Sequence, residues 1–311
     1  MTILVAADFN DGEWAAWWPA LVAALPSERM VRSVAEAGTD TIDIALVANP
    51  PLGALQGLPQ LRLIQSLWAG VDKLLADPSV PTDVPLARMV DPAMNAAMAE
   101  TALWAVLSLH RGFFAYAARQ RAAEWRAHVQ RRADDITVAV LGLGQMGRAA
   151  AQTLAHHGYR VLGWSTRPCA IEGIATHAGD ESLPLVLAAA QIVVNLLPLT
   201  AATRGLFNTA TFDRMPKGAS VVNLARGAHV VEAELLAALD RRQLRHAVLD
   251  VFAVEPLPAE HPFWLHPQVT VLPHVAAQTD PRTAAQIVAC NVQALRGGQG
   301  LQALVDRWRG Y

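Results

Sequence analysis

The chain has 311 residues, of which 53% are hydrophobic and 17% charged, with a formal net charge of −2 at pH 7. This composition excludes an intrinsically disordered chain, and the length favours two domains. No long run of Lys or Arg indicates a nucleic-acid surface, and the two cysteines, Cys169 and Cys290, have neither disulfide-framework nor metal-ligand spacing.

The N-terminus predicts a first strand rather than a targeting segment. Its apolar run has no basic region before it and ends at Asp8. The other apolar stretches are interrupted well short of a membrane span. We therefore expect a soluble, cytoplasmic protein that binds neither nucleic acid nor membrane.

The first third of the chain predicts alternating strands and helices. Buried strands are expected at 3–6, 42–48 and 61–67, with a helix around 14–25, and continuous apolar strands of this kind are typical of parallel sheets. Residues 94–118 predict one long helix that starts at Asp91-Pro92, an N-cap followed by proline. An Arg-rich polar stretch, 119–135, follows it.

The rest of the chain shows the same alternation more clearly. Strands are predicted at 137–141, 160–164, 192–196, 220–224, 246–251 and 269–272, and helices at 146–157, 182–189, 209–214, 231–241 and 281–296. Alternation on this scale is typical of a doubly wound sheet. The predicted fold class is α/β, with two doubly wound parallel-sheet (Rossmann-like) domains and a cleft between them.

A glycine-rich loop follows the strand at 137–141. Gly142, Gly144 and Gly147 match G-x-G-x-x-G, with Gln145 and Met146 between them, and the loop opens a helix. The first glycine permits a tight turn, the second lets backbone N–H groups approach a diphosphate, and the third packs helix on strand. The helix N-terminus then offers unsatisfied N–H donors to the phosphates. The loop predicts a dinucleotide cofactor.

The next strand ends in Ser165-Thr166-Arg167, without the acidic residue that usually binds the ribose hydroxyls of NAD. Hydroxyl groups and a guanidinium can instead donate hydrogen bonds to the 2′-phosphate of NADP. We therefore predict NADP(H) as the preferred cofactor. NAD(H) stays open as the alternative, because only one guanidinium lies in this loop before Pro168.

Three further segments follow predicted strands and carry Arg226, Glu255 and His274. Arg226 can bind a substrate carboxylate and polarise a keto oxygen, since its planar fork matches carboxylate geometry. His274 can donate a proton to that oxygen, and Glu255 can orient His274 and stabilise its protonated form. Together they predict the reduction of a 2-keto acid.

These segments, Asn223-Leu-Ala-Arg-Gly227, Asp250-Val-Phe-Ala-Val-Glu-Pro256 and Pro273-His274, resemble the D-isomer-specific 2-hydroxyacid dehydrogenase family over essentially the whole chain. The resemblance implies that Arg226, Glu255 and His274 are the catalytic residues. It also implies a cofactor-binding domain at 101–281 and a substrate domain at 1–100, completed by 282–311.

Further stretches, including 67–72, 195–198, 273–277 and 305–311, resemble the glyoxylate/hydroxypyruvate reductases within that family. This likeness implies NADPH-linked reduction of glyoxylate to glycolate and of hydroxypyruvate to D-glycerate, and a homodimer. It implies that Trp68, Ala69 and Gly70 bind the substrate together with Arg226. It also implies that the cofactor is contacted by Leu197, Pro198, Ala225 and Asp250.

Two alternatives remain from the sequence. One is another D-2-hydroxyacid dehydrogenase that uses NAD. The other belongs to a different class: a nucleotide-sensing binding protein that shares this fold, as certain transcriptional corepressors do. An assay of NADPH and NADH oxidation with small keto acids separates them, because a binding protein would oxidise neither cofactor.

Overall fold

The computed structural model describes residues 1–310, which form two compact units. The first unit contains Met1–Met94 and the C-terminal residues from Thr279, and the second contains Asn95–Gln278. Within the described residues, no helix combines the length and apolar character that crossing a bilayer requires.

The described chain contains twelve strands and nine α-helices, besides five short 3₁₀ helices. The strands are β1 (Thr2–Ala7), β2 (Met30–Val31), β3 (Ile42–Ala48), β4 (Leu63–Ser66), β5 (Leu86–Ala87), β6 (Thr137–Leu141), β7 (Arg160–Ser165), β8 (Ala175–Ala178), β9 (Ile192–Asn195), β10 (Ala219–Asn223), β11 (Leu244–Leu249) and β12 (Val269–Val271). The helices are α1 (Asp11–Ala24), α2 (Asp72–Ala76), α3 (Pro92–Arg111), α4 (Phe113–Arg121), α5 (Gln145–His156), α6 (Leu183–Ala189), α7 (Thr209–Arg214), α8 (Glu232–Asp240) and α9 (Pro281–Arg296).

The first unit is a five-stranded parallel sheet in the order β2-β1-β3-β4-β5. Every residue of β3 is buried, as expected for a central strand covered on both faces. Helix α9 packs against α1, and Arg296 near its end forms ion pairs with Glu28 and Asp43. These contacts attach the C-terminal helix to the N-terminal sheet of the same unit.

The second unit is a seven-stranded parallel sheet in the order β12-β11-β10-β9-β6-β7-β8. Read from β8, with β6 counted as strand 1, this is the doubly wound order 3-2-1-4-5-6 with one strand added after the sixth. The order of the strands along the sheet reverses between the neighbours β6 and β9. Ligands of open α/β sheets bind at the carboxyl ends of the strands beside such a reversal. The predicted α/β class with two parallel sheets is confirmed.

The prediction of one long helix over 94–118 is wrong. Helix α3 ends at Arg111, Gly112 adopts a left-handed conformation with φ 73°, and α4 begins at Phe113. A side-chain carbon at Gly112 would lie 2.3 Å from the His128 ring. The chain therefore breaks where a distant imidazole occupies the space that any larger residue would need, and glycine tolerates both the crowding and the conformation.

Candidate active site

The strands of the second sheet end together at one edge. Trp164, Leu141, Asn195, Asn223, Leu249 and Val271 are successive register partners across six adjacent strands. The segments that follow these residues therefore meet at the same edge. They include the glycine loop and the loops of Arg226, Asp250 and His274.

The glycine loop has the shape that a dinucleotide diphosphate requires. A side-chain carbon at Gly147 would lie 1.7 Å from the Gly142 carbonyl oxygen, and one at Gly142 would lie 2.5 Å from that of Leu196. At Gly144, by contrast, a side-chain carbon would meet no atom within 4 Å. Gly142 and Gly147 thus serve backbone packing, whereas Gly144 leaves the approach to the helix open.

Helix α5 begins at Gln145, and its N-cap is Gly144, which has no side chain to cap the first turn. The first N–H groups of a helix have no partner within the helix. Gln145 is exposed and Met146 is half-buried. The residues present therefore fit a bound diphosphate, which these N–H groups would hold.

The loop after β7 contains the three residues predicted to select the cofactor. The Ser165 hydroxyl donates to the Arg167 carbonyl at 2.7 Å, which folds the loop over itself. The Arg167 side chain is exposed and forms no ion pair with the described residues. A second guanidinium, which sequence reasoning missed, reaches the same loop: Arg148 of α5 donates to the Ala170 carbonyl at 3.1 Å.

His274 and Glu255 form the ion pair that the sequence predicts. His274 Nδ1 lies 2.8 Å from Glu255 Oε2, and Glu255 Oε1 accepts from the Phe252 N–H at 2.9 Å. Burial alone would raise the pKa of Glu255, but these two hydrogen bonds and the charges of His274 and Arg226 together hold its pKa below the usual value. An ionised Glu255 fixes the proton of His274 on Nδ1 and leaves Nε2 for chemistry.

Asp250 holds the loop that carries His274. Its carboxylate accepts from the Val275 N–H at 2.7 Å and the Ala276 N–H at 3.0 Å, and its carbonyl accepts from the His274 N–H at 2.9 Å. His274 has a φ of 55°, a left-handed conformation that is uncommon outside glycine. Asp250 is only 1% exposed, and burial raises the pKa of its carboxyl group even though both N–H groups oppose the shift.

The Arg226 loop packs directly on the Glu255 turn. A side-chain carbon at Gly227 would lie 1.9 Å from the carbonyl carbon of Phe252, so the two backbones touch. Arg226 is half-buried, and one of its guanidinium nitrogens donates to the Ala225 carbonyl at 2.7 Å. Its charge contributes to the lowered pKa of Glu255. The structure thus brings Arg226, Glu255 and His274 together in the second unit.

Leu197, Pro198 and Ala225 lie at the same edge of the sheet, after β9 and β10. Leu197 and Ala225 are buried and donate their N–H groups to Asn195 and Asn223, respectively. Sequence reasoning missed both asparagines as functional residues, although each ends a strand as a polar residue in an apolar run.

The predicted substrate residues Trp68, Ala69 and Gly70 lie in the first unit, between β4 and α2. The Trp68 indole packs edge-on against Phe9 and Trp17, and its buried Nε1–H has no hydrogen-bond partner in the described chain. The N–H groups of Ala69 and Gly70 donate to no described residue. This turn therefore presents three hydrogen-bond donors that no described residue satisfies.

Within residues 1–310, no group of three or more His, Cys, Asp or Glu side chains is arranged to hold a metal ion. A family model described as the D-isomer specific 2-hydroxyacid dehydrogenase, NAD binding domain, matches residues 103–276, more than half of the chain. The chain belongs to the D-isomer specific 2-hydroxyacid dehydrogenase family. It is accordingly an NAD(P)-dependent dehydrogenase.

Individual relatives match over nearly the full length. A glyoxylate/hydroxypyruvate reductase A from Serratia proteamaculans (strain 568) is 41% identical over 308 residues, which cover 97% of each chain. A D-isomer specific 2-hydroxyacid dehydrogenase from Xanthobacter autotrophicus Py2, solved with NADPH and MES, is 40% identical with a TM-score of 0.93 and covers 100% of this chain and 99% of its own. An NADPH-dependent glyoxylate/hydroxypyruvate reductase from Sinorhizobium meliloti, solved with NADP and sulfate, is 36% identical with the same TM-score and coverage.

Proposed function

We propose that this protein reduces small 2-keto acids with NADPH, taking glyoxylate to glycolate and hydroxypyruvate to D-glycerate. The observation that carries the proposal is the His274–Glu255 pair beside Arg226, in the same unit as the glycine loop. The similar proteins named for these two substrates support the substrate class.

In the proposed reaction, Arg226 binds the substrate carboxylate and polarises the keto oxygen. The nicotinamide, when bound, supplies a hydride to C2. His274, protonated and held by Glu255, gives its Nε2 proton to the carbonyl oxygen at C2, so one hydride and one proton convert the C2 carbonyl group to an alcohol. Proton donation of this kind accelerates reactions by roughly 10²–10⁴-fold.

We assign Gly142, Gly144, Gln145, Met146 and Gly147 to the diphosphate, and Asn95–Gln278 to the cofactor-binding unit. Leu197, Pro198, Ala225 and Asp250 are further cofactor contacts in this proposal. The unit formed by Met1–Met94 and the residues from Thr279 supplies Trp68, Ala69 and Gly70. The N–H groups of Ala69 and Gly70, which donate to no described residue, suit a substrate carboxylate, and the buried Trp68 Nε1–H beside them is a further unsatisfied donor.

Preference for NADPH rests on the loop after β7. Ser165, Thr166 and the exposed Arg167 offer hydroxyls and a guanidinium to the 2′-phosphate, and Arg148 brings a second guanidinium to this loop. Charge-assisted hydrogen bonds of this type favour a phosphate dianion over the two hydroxyls of NADH. The solved relatives from Xanthobacter and Sinorhizobium contain NADPH and NADP, respectively.

The test follows the loss of NADPH or NADH absorbance with glyoxylate, hydroxypyruvate and pyruvate. The expected result is oxidation of NADPH with the first two acids, and a His274→Ala variant that binds NADPH but loses most turnover. His156→Ala, at an exposed histidine, is the matched control. Oxidation of neither cofactor with any acid would instead favour the corepressor-like binding protein, and a preference for NADH would favour an NAD-dependent relative.

We also propose that the protein is a cytoplasmic homodimer that associates through α3, α4 and the segment after them. Trp125 and Val129 are almost fully exposed there, and Phe113 is 52% exposed. Exposed aromatic and aliphatic side chains in one region indicate a protein interface. Sedimentation of the native chain and of Trp125→Ser tests this: dissociation of the variant is expected, and a monomeric native chain would refute it.

A further inference from the structure

A cluster of fully buried polar side chains lies beneath the active-site edge. Asn195 ends β9, Asn223 ends β10, and His229 lies in the short 3₁₀ turn after Arg226; each is 0% exposed. Buried polar groups of this kind are stable only when their donors and acceptors are matched. The matching determines the state of the imidazole.

Backbone donors fix the orientation of both amides. Asn195 Oδ1 accepts from the Leu197 N–H at 3.2 Å, and Asn223 Oδ1 accepts from the Ala225 N–H at 3.3 Å. Each oxygen must therefore face its backbone donor. Asn223 Nδ2 then donates to the Arg226 carbonyl at 2.9 Å.

The remaining donors belong to Asn195. Its Nδ2 lies 2.9 Å from Asn223 Oδ1 and 3.0 Å from His229 Nδ1. The two N–H groups of Asn195 therefore each have an acceptor only if His229 Nδ1 is unprotonated and carries a lone pair. The proton of the neutral ring is then on Nε2, which lies 3.2 Å from the Pro198 carbonyl oxygen. In the opposite tautomer, Nδ1–H would donate to the Arg226 carbonyl at 3.1 Å. That tautomer would leave one Asn195 N–H without an acceptor, and it would place the lone pair of Nε2 against the Pro198 carbonyl oxygen.

We propose that His229 is a positioning residue for the reaction: as the neutral imidazole protonated on Nε2, it ties the Arg226 loop to the end of β9 and to Pro198. The link to Arg226 runs from His229 through Asn195 and Asn223 to the Arg226 carbonyl. The kinetic part of this inference rests on the proposed function, whereas the tautomer does not.

The two sides of the ring contribute unequally. The Pro198 carbonyl also accepts from the Thr203 hydroxyl at 2.7 Å, so the bond from Nε2 is duplicated. Nδ1 is the second acceptor of Asn195, and its loss leaves a buried donor unmatched. His229→Gln keeps a donor near the Nε2 position and removes the Nδ1 acceptor, whereas His229→Asn keeps an acceptor near the Nδ1 position and removes the donor.

Nitrogen NMR of the ¹⁵N-histidine-labelled native chain tests the tautomer, with the His229 signals assigned by their loss in His229→Asn. The expected spectrum has a protonated Nε2 and an unprotonated Nδ1. A protonated Nδ1, in either the opposite tautomer or the imidazolium, would overturn the proposal whether or not the protein reduces keto acids.

Kinetics test the positioning role. We expect His229→Gln to lower kcat/KM for glyoxylate by roughly 10–100-fold, chiefly through KM, because small displacements of a substrate-binding group are costly. NADPH affinity should stay near the native value, His229→Asn should keep most activity, and His156→Gln all of it. If His229→Gln loses thermal stability but keeps its KM for glyoxylate, or if the two variants behave alike, His229 has only a structural role. A native chain without reductase activity would instead refute the proposed function.

Discussion

The loop that holds His274 gives the sharpest test of the site, through Asp250→Asn. The native carboxylate accepts one backbone N–H on each oxygen, from Val275 and Ala276. An asparagine keeps one acceptor oxygen and turns an NH₂ group toward the other N–H. The substitution therefore breaks one of two buried, charge-assisted hydrogen bonds while changing the volume of the side chain very little.

The magnitude follows from these contacts. Hydrogen bonds to charged groups contribute about 1.5–3 kcal/mol, and a buried unsatisfied donor costs about 1–3 kcal/mol. Part of this loss is offset, because burial already disfavours the Asp250 carboxylate and raises its pKa. We expect a net loss of about 1–3 kcal/mol in the free energy of unfolding and a roughly 10–100-fold loss of kcat as His274 shifts.

The assay combines thermal unfolding with steady-state kinetics at saturating NADPH and glyoxylate. Asp213→Asn is the matched control, since that carboxylate is half-exposed in an ion pair with Arg241 and should contribute little. A variant with native kcat and native Tm would refute the anchoring role. A raised KM for NADPH with an unchanged kcat would show that Asp250 acts on the cofactor instead of on the His274 loop.

Three other substitutions test the rest of the site and the core. Arg167→Ala should lower kcat/KM for NADPH about tenfold or more and leave that for NADH unchanged, because only NADPH has the 2′-phosphate. Gly147→Ala should weaken NADPH binding at least about tenfold, as measured by titration, because its side-chain carbon would displace the Gly142 carbonyl. Burial, aided by nearby Arg245, lowers the pKa of His246 to about 4, so between pH 6.5 and 4 the unfolded chain binds a proton that the folded chain does not. Native stability should fall by about 3 kcal/mol over this window, and unfolding of His246→Gln should depend less on pH.

Substitutions at exposed positions serve as controls for the two cofactor predictions. Arg160→Ala, exposed at the start of β7, should not change the cofactor preference, and equal losses with both cofactors in Arg167→Ala would contradict the 2′-phosphate role. Gly300→Ala meets no neighbouring atom and should bind NADPH normally. An unchanged dependence on pH in His246→Gln would mean that another group causes the acid sensitivity.

Much of the second unit could be predicted from sequence because its signals are local. The apolar runs that become β6, β9 and β10 form fully or almost fully buried strands. The glycine loop could be predicted because its glycines allow close backbone contacts mainly within the loop, such as that between Gly147 and Gly142. The edge strand β8 has no such run, because Ala175–Ala178 is largely half-buried and contains Thr and His, so the sequence did not predict it. Pairing with β7 stabilises it, and that pairing is not encoded locally.

The other misses share a tertiary cause. Gly112 interrupts the predicted long helix with a left-handed backbone, and the ring of His128, sixteen positions along the chain, fills the space that a side chain there would need. The Asn195–Asn223–His229 cluster needs the parallel register that pairs Asn195 with Asn223, which no spacing in the sequence reports. Arg226, Glu255 and His274 could be predicted as candidates because each follows a strand, whereas the distances between them could not.

The left-handed backbone at His274 means that the proposed proton donor is kept at a cost to thermostability. A non-glycine residue in this conformation costs on the order of 1–3 kcal/mol, and a half-exposed ion pair such as that with Glu255 returns at most about 1 kcal/mol. A screen that rewarded heat resistance alone would therefore favour glycine at position 274 and lose the proposed proton donor.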